Sequence, residues 1–226
     1  MNTRAPRSRG SRVAGGWAIA GGWLVALAGC GGGSEVAHGP AVGASSVPPP
    51  AAPAKAAAAR AADVSSDARE KFTQAAEAFR RYEDQRQWNA DRCREVAALF
   101  EEAAEEMSGG FPEALLNKGI ALQRCNDNEG AVRAFQRALE SNPNFAAARV
   151  QLGLFAYKQK RAADARQLLQ QAISSDPQNV EAYVNLALVQ RDANEVQPAI
   201  DNLRRALAID AQFMPAFNLM ALIYLD

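Results

Sequence analysis

Three cysteines, one histidine and one dense run of glutamates are the residues of this 226-residue chain whose types and spacing point to chemistry beyond packing. Cys93 and Cys125 lie 16 residues before and 16 residues after Gly109. If the chain reverses near Gly109, adjacent antiparallel helices bring both thiols to one level, as a disulfide requires; the alternative is two buried free thiols. His38 sits among glycine, proline and alanine, far from any helical pattern, so the helical part has no imidazole to act as base or ligand. Glu101, Glu102, Glu105 and Glu106 are the densest acid cluster. Carboxylates so placed can bind a metal or share acid and base roles, but no convergent ligand is within sequence reach, and a solvated helix face accounts for them. No cysteine stands beside a base, and no glycine-rich phosphate loop appears in the helical part. The expectation is a non-enzyme with no catalytic residue, no metal and no cofactor.

Cys30 belongs to a different argument. Arg4, Arg7, Arg9 and Arg12 form a basic N-terminal region, and an apolar stretch from Val13 to Ala28 follows it. That stretch is short and glycine-rich for a membrane span and has the layout of an export signal. It ends in Leu27-Ala28-Gly29-Cys30, which resembles a bacterial lipobox. The resemblance implies a signal peptide over residues 1–29 and a diacylglyceryl group on the Cys30 thiol. Cleavage then frees the Cys30 amine for another acyl chain, and several chains anchor a protein stably. An ordinary cleaved signal and an uncleaved membrane helix are the other readings. Gly31 stands where such proteins often carry an inner-membrane retention aspartate, so glycine leans towards the outer membrane, facing the periplasm. Residues 30–64 then form a linker: Gly31-Gly32-Gly33-Ser34, Pro48-Pro49-Pro50 and an alanine tract leave almost nothing to bury, so a disordered tether is expected. Without residues 1–29, Lys+Arg falls from 25 to 21 against 25 Asp+Glu, and a chain of about −4 argues against nucleic acid as a partner. Export also places Cys93 and Cys125 where disulfides persist.

The elements that position these residues repeat. Gly119, Gly153, Ala187 and Ala221 stand 34 apart, as do Ala131, Ala165 and Ala199, and again Ala138, Ala172 and Ala206. Pro143 and Pro177 keep the step, and Ala211 takes the next place. A period of that length is the mark of a helical solenoid, in which small residues let paired helices approach and large ones fill the space between. Residues 65–111 form a looser pair. Phe72, Ala75, Ala76, Phe79 and Tyr82 share one helical face from Ser65 or Ser66 to about Glu83; Val96, Leu99, Phe100 and Ala103 share another from Ala90 to Met107, with Ser108-Gly109-Gly110 as a glycine C-cap. The pair reads as a degenerate repeat with a lengthened turn.

A large residue, Leu-Gly, an aromatic, a small-large-small set and then proline make residues 112–226 resemble the tetratricopeptide repeat: three repeats plus the first helix of a fourth. The resemblance implies an all-α solenoid of helical hairpins in a right-handed superhelix. In that family the first helix of each pair lines a concave groove. Carried over, the groove positions are Leu116 and Ile120, Val150 and Leu154, Val184 and Leu188, then Gln123 and Arg124, Tyr157 and Lys158, Arg191 and Asp192. An apolar channel edged by Arg124, Lys158 and Arg191 suits an amphipathic peptide with acidic flanks. Each apolar residue of the stripe has a second reading, packing against neighbouring first helices. Leu116 and Val150 stand where the chaperone-binding members carry polar residues of a carboxylate clamp.

The lipobox, the cysteine pair near Val96 and Gln123-Arg124-Cys125, and the segment Asn202 to Asp210 together resemble the tetratricopeptide lipoproteins of adventurous gliding motility in myxobacteria. That resemblance implies a scaffold in an envelope complex, lipid-anchored at the outer membrane and binding envelope proteins or peptides. The same architecture serves pilus-secretin pilotins, outer-membrane assembly lipoproteins and adaptors for peptidoglycan hydrolases. Phe213 to Leu225 is apolar nearly all round. A terminal repeat helix wants a polar outer face, so further chain or self-association is expected to cover it.

Overall fold

Nine helices follow one another, with no strand among the described residues, which in this computed structural model are 64–108 and 110–225. The expected signal segment, Cys30 and the expected linker as far as residue 63 lie outside them. The helices are α1 (Ser66–Asp84), α2 (Ala90–Glu105), α3 (Pro112–Arg124), α4 (Asn128–Ser141), α5 (Ala146–Lys158), α6 (Ala162–Ser175), α7 (Val180–Asp192), α8 (Val196–Ile209) and α9 (Met214–Leu225). Each packs chiefly on its neighbours in sequence, so the array is built from nearest-neighbour interfaces.

Local chemistry sets the helix ends. The side chains of Ser65, Asn89, Asp127 and Asn179 accept from backbone N–H groups in the first turns of α1, α2, α4 and α7. Pro112 opens α3, where its missing N–H costs nothing. The turns inside the repeats are one motif used three times. Asn126, Lys160 and Asn194 take positive φ, and the next residue's N–H bonds back to the carbonyl of Leu122, Ala156 or Gln190, at 3.0, 2.9 and 2.8 Å. This is a Schellman closure, and asparagine suits its left-handed residue better than lysine does.

The first hairpin closes in the same way. Arg86 takes positive φ and Gln87 N–H bonds to Tyr82 O at 3.0 Å. The N-cap Asn89 then comes two residues later than in the regular repeats. Trp88, one of the inserted residues, folds under the turn. Its ring lies 5.0 Å from Phe79, and its indole N–H donates to Glu83 at 2.7 Å. The lengthened turn is thus filled by its own aromatic. The glycine C-cap expected for α2 is not used: the helix closes at Glu106 in a right-handed conformation, and Gly110, at φ 77°, shapes the passage into α3 instead.

The core is continuous in sequence but divides into three clusters. The first joins α1–α4 with Ala148 of α5, and it holds Phe72, Phe79, Phe100, Phe111 and Phe135. Phe72 packs on Phe100 and Phe111 at 5.6 and 5.1 Å between ring centres. The second cluster spans α5–α7 and the third α7–α9, with α7 shared between them. Ala131, Ala138, Ala165, Ala172, Ala199 and Ala206 are fully buried, as are Phe135, Leu169 and Leu203 between them. The large residue of each second helix sits against the small residue of the first. A Cβ added to Gly119 would lie 2.3 Å from the Phe135 ring, and one added to Gly153 would lie 3.0 Å from Leu169 Cγ.

That difference separates two otherwise identical substitutions. Alanine gains about 1 kcal/mol of helix propensity over glycine. At Gly153 the flexible leucine yields a few tenths of an ångström, so Gly153→Ala is expected to change stability by less than about 0.5 kcal/mol. At Gly119 a buried ring must move, so Gly119→Ala is expected to destabilise by roughly 1–3 kcal/mol, as overpacking does. Urea unfolding of the two variants measures both.

Candidate functional site

The groove positions divide by depth. Leu116, Ile120, Val150 and Val184 are buried, at most 8% exposed, and belong to the three core clusters. For these four the packing reading describes what the structure shows: the first helices lie close enough to bury the upper part of the stripe. Leu154, Tyr157 and Leu188 are half-buried and Lys158 is exposed. What reaches solvent is therefore a short apolar stretch over α5 and α7, the part of the expected channel nearest the C-terminal half.

The expected cationic edge is largely neutralised. Arg124 pairs with Glu83 of α1 at 2.9 Å, and both side chains are mostly buried. Arg191 pairs with Asp192 beside it at 2.7 Å. The Tyr157 hydroxyl donates to the same Asp192 carboxylate. Burial, reinforced by this hydrogen bond, raises the Tyr157 pKa, while the Tyr157 and Arg191 hydrogen bonds hold Asp192 below its ordinary value. Lys158 is left without an ion pair among the described residues. Arg191 meets Asp192 as its neighbour in sequence, whereas Glu83 and Arg124, and Tyr157 and Asp192, are tens of residues apart and only the fold brings them together.

The acid cluster also changes character. Glu102 and Glu105 are exposed, as a solvated face requires. Glu101 is not free: its carboxylate accepts from Lys118 of α3 at 2.6 Å and from Arg137 of α4 at 2.5 Å, tying three helices together. Glu106 receives Lys71 of α1 at 2.5 Å. No group of three or more His, Cys, Asp or Glu among the described residues is placed to hold a metal ion. The two cysteines meet: Cys93 in the first turn of α2 and Cys125 at the end of α3 form a disulfide with their Cα atoms 6.2 Å apart. That separation suits the bond, which closes a loop worth about 2–4 kcal/mol and staples the divergent pair to the first regular repeat. Asn117 occupies a polar repeat position that the sequence shares with Asn185. It is 1% exposed in α3, and neither its side-chain oxygen nor its nitrogen has a hydrogen-bond partner.

Glu101 supplies a pH test. Burial alone would raise its pKa, but the hydrogen bonds from Lys118 and Arg137 outweigh it and hold the group below the ordinary 4.5. A lowered acid pKa stabilises the fold above the unfolded value, and that contribution disappears as pH falls through the folded one. Glu181 has the opposite sign, because burial, with Asp176 and Asp210 nearby, raises its pKa. Glu101→Gln is expected to cost on the order of 1 kcal/mol at pH 7 and progressively less below the carboxylate range. Chemical denaturation of wild type and variant across that range reads the convergence.

Family profiles described as tetratricopeptide repeat match residues 116–180 and residues 156–223. No curated protein matches the sequence. Among solved structures, the fold is similar to that of PilW, described as a widely conserved type IV pilus biogenesis factor. PilW is 23% identical, with a TM-score of 0.59 over 71% of this chain and 70% of that one. PilF of Pseudomonas aeruginosa is 19% identical, with a TM-score of 0.56 over 70% and 69%. MamA of Desulfovibrio magneticus RS-1 is 21% identical, with a TM-score of 0.53 over 72% and 86%. With the 34-residue period, the recurring Schellman turns and the small-on-large hairpin contacts, these matches identify the chain as a tetratricopeptide-repeat protein.

Proposed function

We propose that this chain is a non-enzymatic scaffold of the bacterial envelope, held to a membrane by lipid on Cys30 and facing the periplasm, where its repeats bind a protein partner. The observation that carries the binding part is the solvent-reaching stretch Leu154, Tyr157 and Leu188 beside the exposed Lys158, set on the first helices of consecutive repeats. A face of half-buried apolar residues at helical spacing receives an amphipathic helix or an extended peptide. The buried Leu116, Ile120, Val150 and Val184 hold its floor. With Arg124 and Arg191 engaged internally, Lys158 is the cation left to meet an acidic flank, so apolar contact outweighs charge in the recognition.

The lipid anchor and the outer-membrane, periplasm-facing location draw their support from the Leu27-Ala28-Gly29-Cys30 sequence and Gly31. Among envelope machines we favour the gliding apparatus, on the resemblance of the lipobox, the cysteine pair and the Asn202–Asp210 segment to that family. A second reading, in pilus assembly, takes its support from the fold shared with PilW and PilF.

Full-length protein expressed in a lipoprotein-processing bacterium tests both parts. Cys30→Ser is expected to move the protein from the membrane to the soluble fraction. Leu154→Glu is expected to keep the helical circular-dichroism spectrum and to lose, by tenfold or more, the envelope protein that wild type co-purifies after cross-linking. Unchanged capture by a folded Leu154→Glu protein removes the groove from the proposal, and a Cys30→Ser protein still in the membrane fraction removes the anchor.

A further inference from the structure

The bonds that tie one repeat to the next are spread unevenly along the array. From the first regular hairpin, Lys118 and Arg137 reach back to Glu101, Arg124 reaches back to Glu83, and Cys125 is joined to Cys93. From the second, Tyr157 and Arg166 reach forward to Asp192 and Glu195. The passage from α4 to α5 lies between these two sets. Among the described residues, the polar side chains of α4 bond within α4, to the turn before it, or back to Glu101. Those of α5 and α6 bond within their own hairpin and its connections, or forward.

Packing is thinner at the same place. Helix α7 rests on both α6 and α5, and α9 on both α8 and α7; α5 rests on α4, but α3 and α5 do not pack on one another in that way. Of the buried residues of α5, Ala148 alone joins the first core cluster, while Ala146, Val150 and Ala156 belong to the second. The half-buried Phe145, Ala147 and Leu152 complete the contact. The start of α5 is also looser: Asn179 caps α7 with its side chain, whereas Phe145 gives α5 no such bond. Arg149 stands where Leu115 and Tyr183 fill the other hairpins, and it donates to Ser175 Oγ at 2.8 Å and to the Pro143 carbonyl. It therefore holds the connection to the α5–α6 hairpin that follows. A thin apolar contact with no polar tie sets the separation of two units but not the angle between them.

We propose that the α4–α5 passage is a hinge, about which α1–α4 and α5–α9 move as two units, and that its angle decides how much of the concave face of α3 is presented beside that of α5. Ile120 lies before the hinge and Leu154 after it, at one repeat position; Ile120 is 2% exposed and Leu154 half-buried. Opening uncovers Ile120 and carries the accessible apolar stretch from α5 and α7 onto α3. This consequence for binding rests on the reading of the concave stripe as a groove; the hinge itself does not.

The full chain with Cys30→Ser, in which Cys93 and Cys125 are joined, leaves no free thiol and takes spin labels at introduced cysteines. Gln136→Cys with Gln170→Cys spans the hinge, and Gln170→Cys with Arg204→Cys lies beyond it; the three positions are exposed and 34 apart, on α4, α6 and α8. Double electron–electron resonance is expected to give a distance distribution at least twice as wide for the first pair as for the second. Equal widths overturn the hinge. Ile120→Cys is expected to react with a maleimide at least tenfold faster than Leu203→Cys, which is buried away from the hinge, in variants that keep the helical circular-dichroism spectrum. Equal rates overturn the uncovering of Ile120. Both readouts are free of any partner, so a groove that binds nothing leaves them unchanged and is detected instead by unchanged capture with Leu154→Glu.

Discussion

The contact of one large side chain with one small residue inside each hairpin is the constraint on which the rest of this molecule depends. Phe135 over Gly119 and Leu169 over Gly153 set how closely the paired helices approach. Alanine on either side of the large residue, at zero exposure, lets the second helix settle along its whole length. With interiors packed to crystal-like density, there is no slack for a different spacing. Regular hairpins then stack regularly, and stacking brings the first helices into line. The groove is a by-product of that alignment: its floor consists of residues the stack needs for itself, and of its apolar positions Leu154, Tyr157 and Leu188 are the ones left over for solvent.

The N-terminal pair is divergent in sequence yet forms the most heavily tied part of the array. Five phenylalanines lie in its cluster, the disulfide joins α2 to α3, and Glu101 bridges Lys118 and Arg137. Glu83 accepts the Trp88 indole and pairs with Arg124. A repeat at one end of a solenoid has a neighbour on one side alone, so it must find stabilisation that interior repeats receive from stacking. Aromatic burial, at roughly 1.5–3 kcal/mol for a fully buried phenylalanine, and a covalent staple are two such sources. The polar outer face of α1 completes an end that is closed to further stacking. Helix α9 has neither device, so the first and last described helices are chemically unlike.

Charges are used differently along the chain. Near the N-terminus, partly buried carboxylates join helices that are not adjacent in sequence. Further on, Arg166 bonds both oxygens of Glu195, at 2.8 and 2.6 Å, holding α6 against the start of α8. Asp192 gathers Tyr157 and Arg191 at the groove edge. These pairs draw cations away from the surface that a partner would meet, which leaves recognition there to shape and apolar area.

Sequence by itself determined the period, the helical class, the hairpin registers and the positions of the small and large residues, because these follow from local periodicity and side-chain volume, which a linear chain displays directly. The repeated positive-φ turns at Asn126, Lys160 and Asn194 emerged only with the structure, although asparagine at two of the three is a local signal for them. Tertiary structure decided which groove residues stay accessible, which cations remain free and which glutamate becomes a bridge. The physical reason is that burial and ion pairing depend on the distance between helices separated by tens of residues. Ile120 and Leu154 hold the same repeat position, 34 residues apart, and only the packing of neighbouring helices makes the first a core residue and leaves the second at the surface. Likewise nothing in the run Glu101, Glu102, Glu105, Glu106 marks Glu101 out until α3 and α4 bring Lys118 and Arg137 to it.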